Sequence, residues 1–307
     1  MSDRPTVTRS LNPALAPEPV MLDCADGQRL QAHFFAARGL HQLQPVLVCS
    51  ATGVRQQFYW RFADWLAGQG HAVLVFDYRG VGLSLDGELS ASTAQLVDWG
   101  QLDQVAALQW LLDRCGAAQA VLVGHSAGGQ MLGLLPNHGR VARLVGVAAS
   151  TGWFRGMRPA FALKARLGLR LLVPLGTLLK GYAPTAWLGL GENLPAGVAR
   201  QWGQWCAAGG YATNAVRRGS AQDFHAQVRT PITLFYAEDD DIATHFTVQD
   251  LLQTLPAAPG RAVQLRPQDH GLRHIGHLDW FRQSHQALWV LLLGAVRGDE
   301  PCAAPPN

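Results

Sequence analysis

The stretch AVLVGHSAGGQMLGLL, residues 120–135, fixes how the rest of the chain is read. A short apolar run ends in Gly124-His125-Ser126-Ala127-Gly128, and a helical pattern follows at once. A strand entering a helix through G-x-S-x-G is the setting in which that motif carries chemistry. The tight turn holds the serine in strained backbone geometry and projects its hydroxyl from the sheet. The residues two before and two after crowd each other, so glycine fits where a side chain would not. Gly129 lets the next helix pack closely. The Ala127 amide falls at the helix N-terminus, where an unpaired N–H can meet a developing negative oxygen. A glycine-rich turn without chemistry is the plainer alternative, and the flanking strand and helix favour the catalytic one.

Such a serine imposes requirements elsewhere. Its hydroxyl is a poor nucleophile at neutral pH and needs a base within hydrogen-bond reach. The base needs a carboxylate to fix its tautomer and stabilise its cation. In a sheet of this type the three stand at strand C-termini, ordered Ser, acid, His. Downstream, PITLFYAEDDDIAT (231–244) is an apolar strand ending in Glu238, Asp239, Asp240 and Asp241. After the next strand, AVQLRP (262–267), comes DHGLRHIGHLDWF (269–281) with His270, His274 and His277. His-x3-His could bind a metal on one helical face, but Gly271 and Gly276 make the stretch a loop, and no further ligand cluster accompanies it. No metal site is expected.

The remaining strands read as PVLVCS (45–50) and HAVLVFDY (71–78), β-branched runs without polar alternation, as expected when both faces are covered. Residues 56–70 and 94–116 repeat apolar residues at helical spacing, with Leu96, Trp99, Leu102, Val105, Leu108 and Leu111 or Leu112 on one stripe. Gly70 and Gly116 suit helix C-termini. Residues 18–37 read as an antiparallel hairpin turning at Asp26-Gly27 on one sheet edge. Alternating strands and helices give a single α/β domain with a mostly parallel sheet and helices on both faces. The alternation breaks at 151–226, punctuated by Pro159, Pro174 and Pro184, which reads as a helical insertion. The core is then 18–150 and 227–293, with flexible tails at 1–17 and 294–307.

The bulk numbers agree. The chain has 307 residues, 48% hydrophobic and 15% charged, with a net charge of +3 and no basic tail or acidic block, which gives nucleic-acid binding little support. No secretory signal or membrane span is expected. Cys24, Cys49, Cys115, Cys206 and Cys302 lie far apart without CxxC spacing, as suits reduced thiols in the cytoplasm.

With FDYRGVGLS, GHSAGG, YAEDDDIAT and IGHLDWF in view, the chain resembles α/β-hydrolase fold proteins, in the branch of serine aminopeptidases and lysophospholipases, over about residues 18–293. Members carry G-x-x-D before a proline-containing turn, with the aspartate as triad acid. Ala237 stands for that glycine here, so the resemblance implies Asp240. Asp241 replaces the proline, which leaves Asp239 as the alternative. The family histidine follows a glycine, which implies His277 as the base and leaves His270 and His274 as loop residues near the mouth. Many members end the third strand in His-Gly and complete the oxyanion hole with a following amide. In VLVCSATGVRQQ (46–57) that role falls to Thr52 or Gly53, paired with Ala127, and Cys49 reads as a buried structural thiol. The G-x-G runs in RGVGLS and LGLGEN lack the setting of a dinucleotide site, and no cofactor is expected.

The expected activity is hydrolysis of a carboxylic ester or related acyl bond on a small, apolar acyl substrate. Acyltransferases, thioesterases, peptidases and cofactor-free haloperoxidases share this fold and triad, so the fold alone does not choose among them. A non-catalytic ligand receptor has no need of an intact Ser, Asp and His set. The insertion is expected over the strand ends as a lid. Its Arg155, Arg158, Lys164, Arg166, Arg170 and Lys180 admit two readings. One is a greasy lid meeting an anionic headgroup or membrane surface. The preferred one is an amphipathic helical lid with solvated cations. Trp153, Trp187, Trp202 and Trp205 read as lid core.

Overall fold

A computed structural model describes residues 17–39, 43–189 and 191–299. Eight strands form one sheet: β1 (Glu18–Asp23), β2 (Arg29–Phe35), β3 (Leu43–Cys49), β4 (His71–Phe76), β5 (Ala120–His125), β6 (Val141–Val147), then β9 (Ile232–Ala237) and β10 (Gly260–Leu265). A separate two-stranded ladder pairs β7 (Tyr182–Ala183) with β8 (Leu194–Pro195). The large sheet runs β1-β2-β4-β3-β5-β6-β9-β10. The β1–β2 hairpin joins antiparallel through β2 to β4, and all other pairs are parallel. All six residues of β5 are buried, as are the last five of β3. Successive side chains point to opposite faces, so helices cover both.

The helices follow from their apolar spacing. In α1 (Trp60–Gly68) the buried residues are Phe62, Ala63, Leu66 and Ala67. A second helical run comprises α2 (Leu96–Asp98), a π turn (Trp99–Asp103) and α3 (Gln104–Cys115), and ends at left-handed Gly116. Between β6 and β9 lie α4 (Pro159–Leu167), a π turn (Gly168–Leu172), α5 (Val173–Lys180), α6 (Ala196–Trp205) and α7 (Thr213–Arg217). α8 (His245–Gln253) connects β9 to β10, and α9 (Gln286–Arg297) closes the described chain. Trp289 of α9 meets Phe62 and Trp65 of α1, joining two helices far apart in sequence.

Several expectations need correction. β6 (VARLVGV) lacks the clear signature of the other parallel strands, because Arg143 interrupts its apolar run. No continuous α-helix follows Ser126. Short 3-10 turns at Ser126–Gly129 and Leu132–Leu134 stand there instead. Gly128, Gly129 and Gly133 lower helix propensity, and Pro136 disfavours a helical residue before it. Residues 294–297, expected in a flexible tail, belong to α9, which runs to Arg297 with Ala295 and Val296 buried and left-handed Gly298 as its stop. Residues 1–16 and 300–307 of the expected tails lie outside the described residues.

The insertion departs most from expectation. Ala162, Ala165, Leu169 and Val173 form the buried stripe of α4–α5. Leu163, Leu167, Leu171, Leu175, Leu178 and Leu179 are exposed, the last two at 82% and 74%. Trp187, expected in the lid core, is 72% exposed with the Lys180 ammonium 3.9 Å from its ring centre. Trp205 is buried as expected, and Trp202 and Trp153 partly so. Among the described residues, no helix is long and apolar enough to cross a membrane.

Candidate active site

β5 delivers Ser126 at its C-terminal end with φ +48°, a conformation that non-glycine residues rarely adopt. Its neighbours make room. A Cβ on Gly124 would lie 2.4 Å from Gly129 backbone, and one on Gly128 would lie 2.2 Å from the Cys49 carbonyl oxygen. Gln104 fastens the turn, donating through Nε2 to the Gly128 carbonyl at 3.0 Å and to Tyr78 Oη at 2.7 Å.

His277 arrives from the loop after β10. Its Nε2 lies 2.9 Å from Ser126 Oγ, and its Nδ1 lies 2.8 Å from Asp240 Oδ2. The other oxygen of Asp240 accepts from the amides of Ile242 at 2.7 Å and Ala243 at 2.9 Å. Burial pushes the Asp240 pKa up, but the His277 charge and these hydrogen bonds outweigh it and hold the carboxyl below its ordinary value. Asp240 is therefore an anion aimed at the imidazole.

Asp239 points elsewhere. Its two oxygens accept from the Ile275 amide at 3.0 Å and the Gly276 amide at 2.9 Å, and His274 Nδ1 sits 2.6 Å away. Those contacts fasten the loop just ahead of His277. His274 is exposed and His270 partly so, both on that loop. The structure thus brings Ser126, His277 and Asp240 into one hydrogen-bonded chain and leaves Asp239 beside it.

The remaining site residues are amides. Ala127 lies at the start of the 3-10 turn, where the first N–H groups lack intrahelical acceptors. Thr52 and Gly53 occupy the turn after β3, closed by the Val54 amide on the Ala51 carbonyl at 3.1 Å, with Gly53 at φ +67°. Among the described residues neither the Thr52 nor the Gly53 amide has a hydrogen-bond acceptor. Thr52 lines a cavity shared with Ser126 and His277, while Gly53 gives its carbonyl to the Glu192 amide at 2.8 Å. The cavity holds about 190 Å³, and its other walls include Met157, Phe161, Ala165, Leu169, Ile242 and Leu278.

Sequence reading missed a second hydrogen-bonded chain behind the first. The Ala51 amide donates to Tyr59 Oη at 2.9 Å, Tyr59 Oη lies 2.8 Å from His125 Nδ1, and His125 Nε2 lies 2.8 Å from the His277 carbonyl oxygen. Burial, then the nearby His277 charge, lowers the His125 pKa to about 3, so the ring is neutral. Its Nε2 must then donate to the carbonyl, and Nδ1 accepts from the tyrosine. The chain joins the Thr52 turn, the serine turn and the histidine loop. GHSAGG displays His125, but nothing local to it shows a tyrosine 66 residues away.

A model of the Alpha/beta hydrolase family matches residues 46–288. The chain belongs to that family. The mostly parallel sheet with helices on both faces is that of an alpha/beta hydrolase. No curated relative matches the chain. Among solved structures it is similar to a hypothetical protein of Pseudomonas aeruginosa, at 14% identity with TM-score 0.63, covering 98% of this chain and 100% of that one. It is similar to an esterase of Pyrococcus furiosus, at 15% identity and TM-score 0.57, covering 96% and 98%. A soluble variant of monoglyceride lipase from Saccharomyces cerevisiae shows 14% identity and TM-score 0.59 over 95% and 98%. Identities this low speak to the alpha/beta hydrolase fold alone.

Proposed function

We propose that this protein is a serine hydrolase that cleaves a carboxylic ester through an acyl-enzyme. The observation that carries the reading is the hydrogen-bonded chain from Ser126 through His277 to Asp240, opening on an apolar cavity. Ser126 Oγ attacks the ester carbonyl while His277 Nε2 takes its proton. The Ala127 and Thr52 amides hold the oxyanion, Thr52 being favoured over Gly53 because it lines the cavity. The imidazolium, steadied by Asp240, protonates the departing alcohol. His277 then draws a proton from water, which attacks the acyl carbonyl and frees Ser126.

A fluorophosphonate probe tests the nucleophile. Wild type is expected to label, Ser126→Ala not to, and the variant to lose several orders of magnitude in kcat on p-nitrophenyl esters. Labelling of both proteins alike, or of neither, removes the enzyme reading.

The insertion gains a role in the same reading, as a lid whose outer face meets an anionic lipid surface. Exposed leucines on α4–α5 support this, because a solvated amphipathic helix would turn them inward. Charge favours an anionic partner. Residues 151–191 carry Arg155, Arg158, Lys164, Arg166, Arg170 and Lys180 and no carboxylate. A second copy packed symmetrically on this face would set cation against cation. The inner face of the same helices, through Phe161, Ala165 and Leu169, lines the cavity at Ser126, so an acyl chain leaving the lipid has a short route in.

A further inference from the structure

Tyr211 is buried, lines the cavity of Ser126 and His277, and carries a buried hydroxyl without a hydrogen-bond partner among the described residues. Native proteins rarely leave such a group unpaired. The ring is built in firmly. It meets Trp205 edge-to-face at 5.0 Å, and Asn214 Nδ2 donates to the carbonyls of Trp205, Ala208 and Gly209 along the same loop. Tyr211 has φ +41°. Only Ser126, Ala148 and Tyr211 among the described non-glycine residues have positive φ, and Ser126 and Tyr211 both line this cavity. Backbone strain of that kind persists where the surroundings hold it in place and gathers at functional sites.

The hydroxyl faces few competitors. Ser126 and His277 are bonded to each other, and Gln130 Nε2 is spent on the Ser150 carbonyl. A trapped water needs two to four polar partners, of which Tyr211 Oη is one. Burial raises the phenol well above its ordinary pKa, so it stays an O–H donor. The cavity has a natural orientation. Leu278 lines it and is 40% exposed, which suits the alcohol, because the alcohol must leave before water attacks. Tyr211 lines the same cavity and is buried, which suits the acyl part, because that part stays on the enzyme through both half-reactions.

We infer that Tyr211 is a specificity residue whose hydroxyl donates to an oxygen carried on the acyl part, so that the site takes hydroxy-, oxo- or alkoxyacyl esters in preference to plain alkanoyl esters. This rests on Ser126 being the acylated nucleophile.

The test compares p-nitrophenyl hexanoate with isosteres bearing a hydroxyl, oxo or ether oxygen at carbons 3 to 5, on wild type and Tyr211→Phe, with melting temperatures recorded alongside. Wild type is expected to favour at least one oxygenated ester by about tenfold or more in kcat/KM, the scale of one buried hydrogen bond. Tyr211→Phe is expected to lose that preference while holding hexanoate within about threefold. Equal losses on both ester classes, or a wild type indifferent to oxygen at every position, overturn the inference while leaving the hydrolase reading intact. Failure to hydrolyse any ester, with no labelling of Ser126, removes the hydrolase reading and this inference with it.

Discussion

Asp239 and Asp240 are adjacent and both anionic, yet they hold different things. Asp240 gives one oxygen to the imidazole and the other to two amides of its own turn. Asp239 gives both oxygens to the backbone of the histidine loop. Replacing Asp240 by asparagine keeps the shape, removes the charge that stabilises the imidazolium and allows the wrong tautomer. The expected cost in kcat on a soluble ester is about 10³- to 10⁴-fold. For Asp239→Asn one amide-to-oxygen contact survives, and the expected loss is about tenfold or less. Losses of equal size would mean that the histidine loop, not the charge, governs the rate. The resemblance to α/β-hydrolase fold proteins implies Asp240 over Asp239. Their division of labour was not legible, because it depends on Ile275 and Gly276, 36 and 37 residues further along.

At the scale of elements, legibility followed the clarity of each local pattern. The parallel strands β3, β4, β5 and β9 read well because β-branched runs buried on both faces contain little else, and the edge hairpin read well because Asp26-Gly27 is a turn signal. The stretch after Ser126 misled, since its apolar residues keep helical spacing while its glycines dissolve the helix into turns. In α4–α5 leucines occur on nearly every side, so periodicity could not say which would face out. Their outer face carries its own expectation. At low salt the protein should float with vesicles containing phosphatidylglycerol, and less with phosphatidylcholine alone. Leu175→Gln/Leu178→Gln/Leu179→Gln should abolish flotation while hydrolysis of a water-soluble acetate ester persists. Wild type that ignores both vesicle types, or a dimer by light scattering that the triple variant dissolves, would assign the leucines to another partner.

Across the whole molecule, one buried ion cluster ties the sheet edge to the layer of helices behind the site. Arg79, in the turn that follows β4, places Nε 2.7 Å from Asp103 Oδ1 and Nη1 2.7 Å from Asp26 Oδ2, and its own amide donates to Asp103 Oδ2 at 3.0 Å. Asp26 belongs to the β1–β2 turn, and Asp103 is fully buried at the end of the π turn between α2 and α3. FDYRG showed the arginine, but its partners come from segments 53 and 24 residues away, which no local pattern joins. Both charges have left water, so their attraction first offsets desolvation, and the pair specifies the arrangement more than it adds net stability. Removing Arg79 is the costlier change, because Asp103 then stays buried without its counter-charge, whereas Arg79 without Asp103 keeps Asp26. Arg79→Met is therefore expected to lower unfolding free energy by about 3–5 kcal/mol in urea denaturation. Asp103→Leu leaves Arg79 paired with Asp26 and should cost less. The double variant Arg79→Met/Asp103→Leu leaves neither charge stranded and should be less destabilised than the sum of the two by more than about 1 kcal/mol. Strict additivity would show that the two side chains are held apart from one another by solvent and that the sheet edge is secured by hydrogen bonding and packing alone.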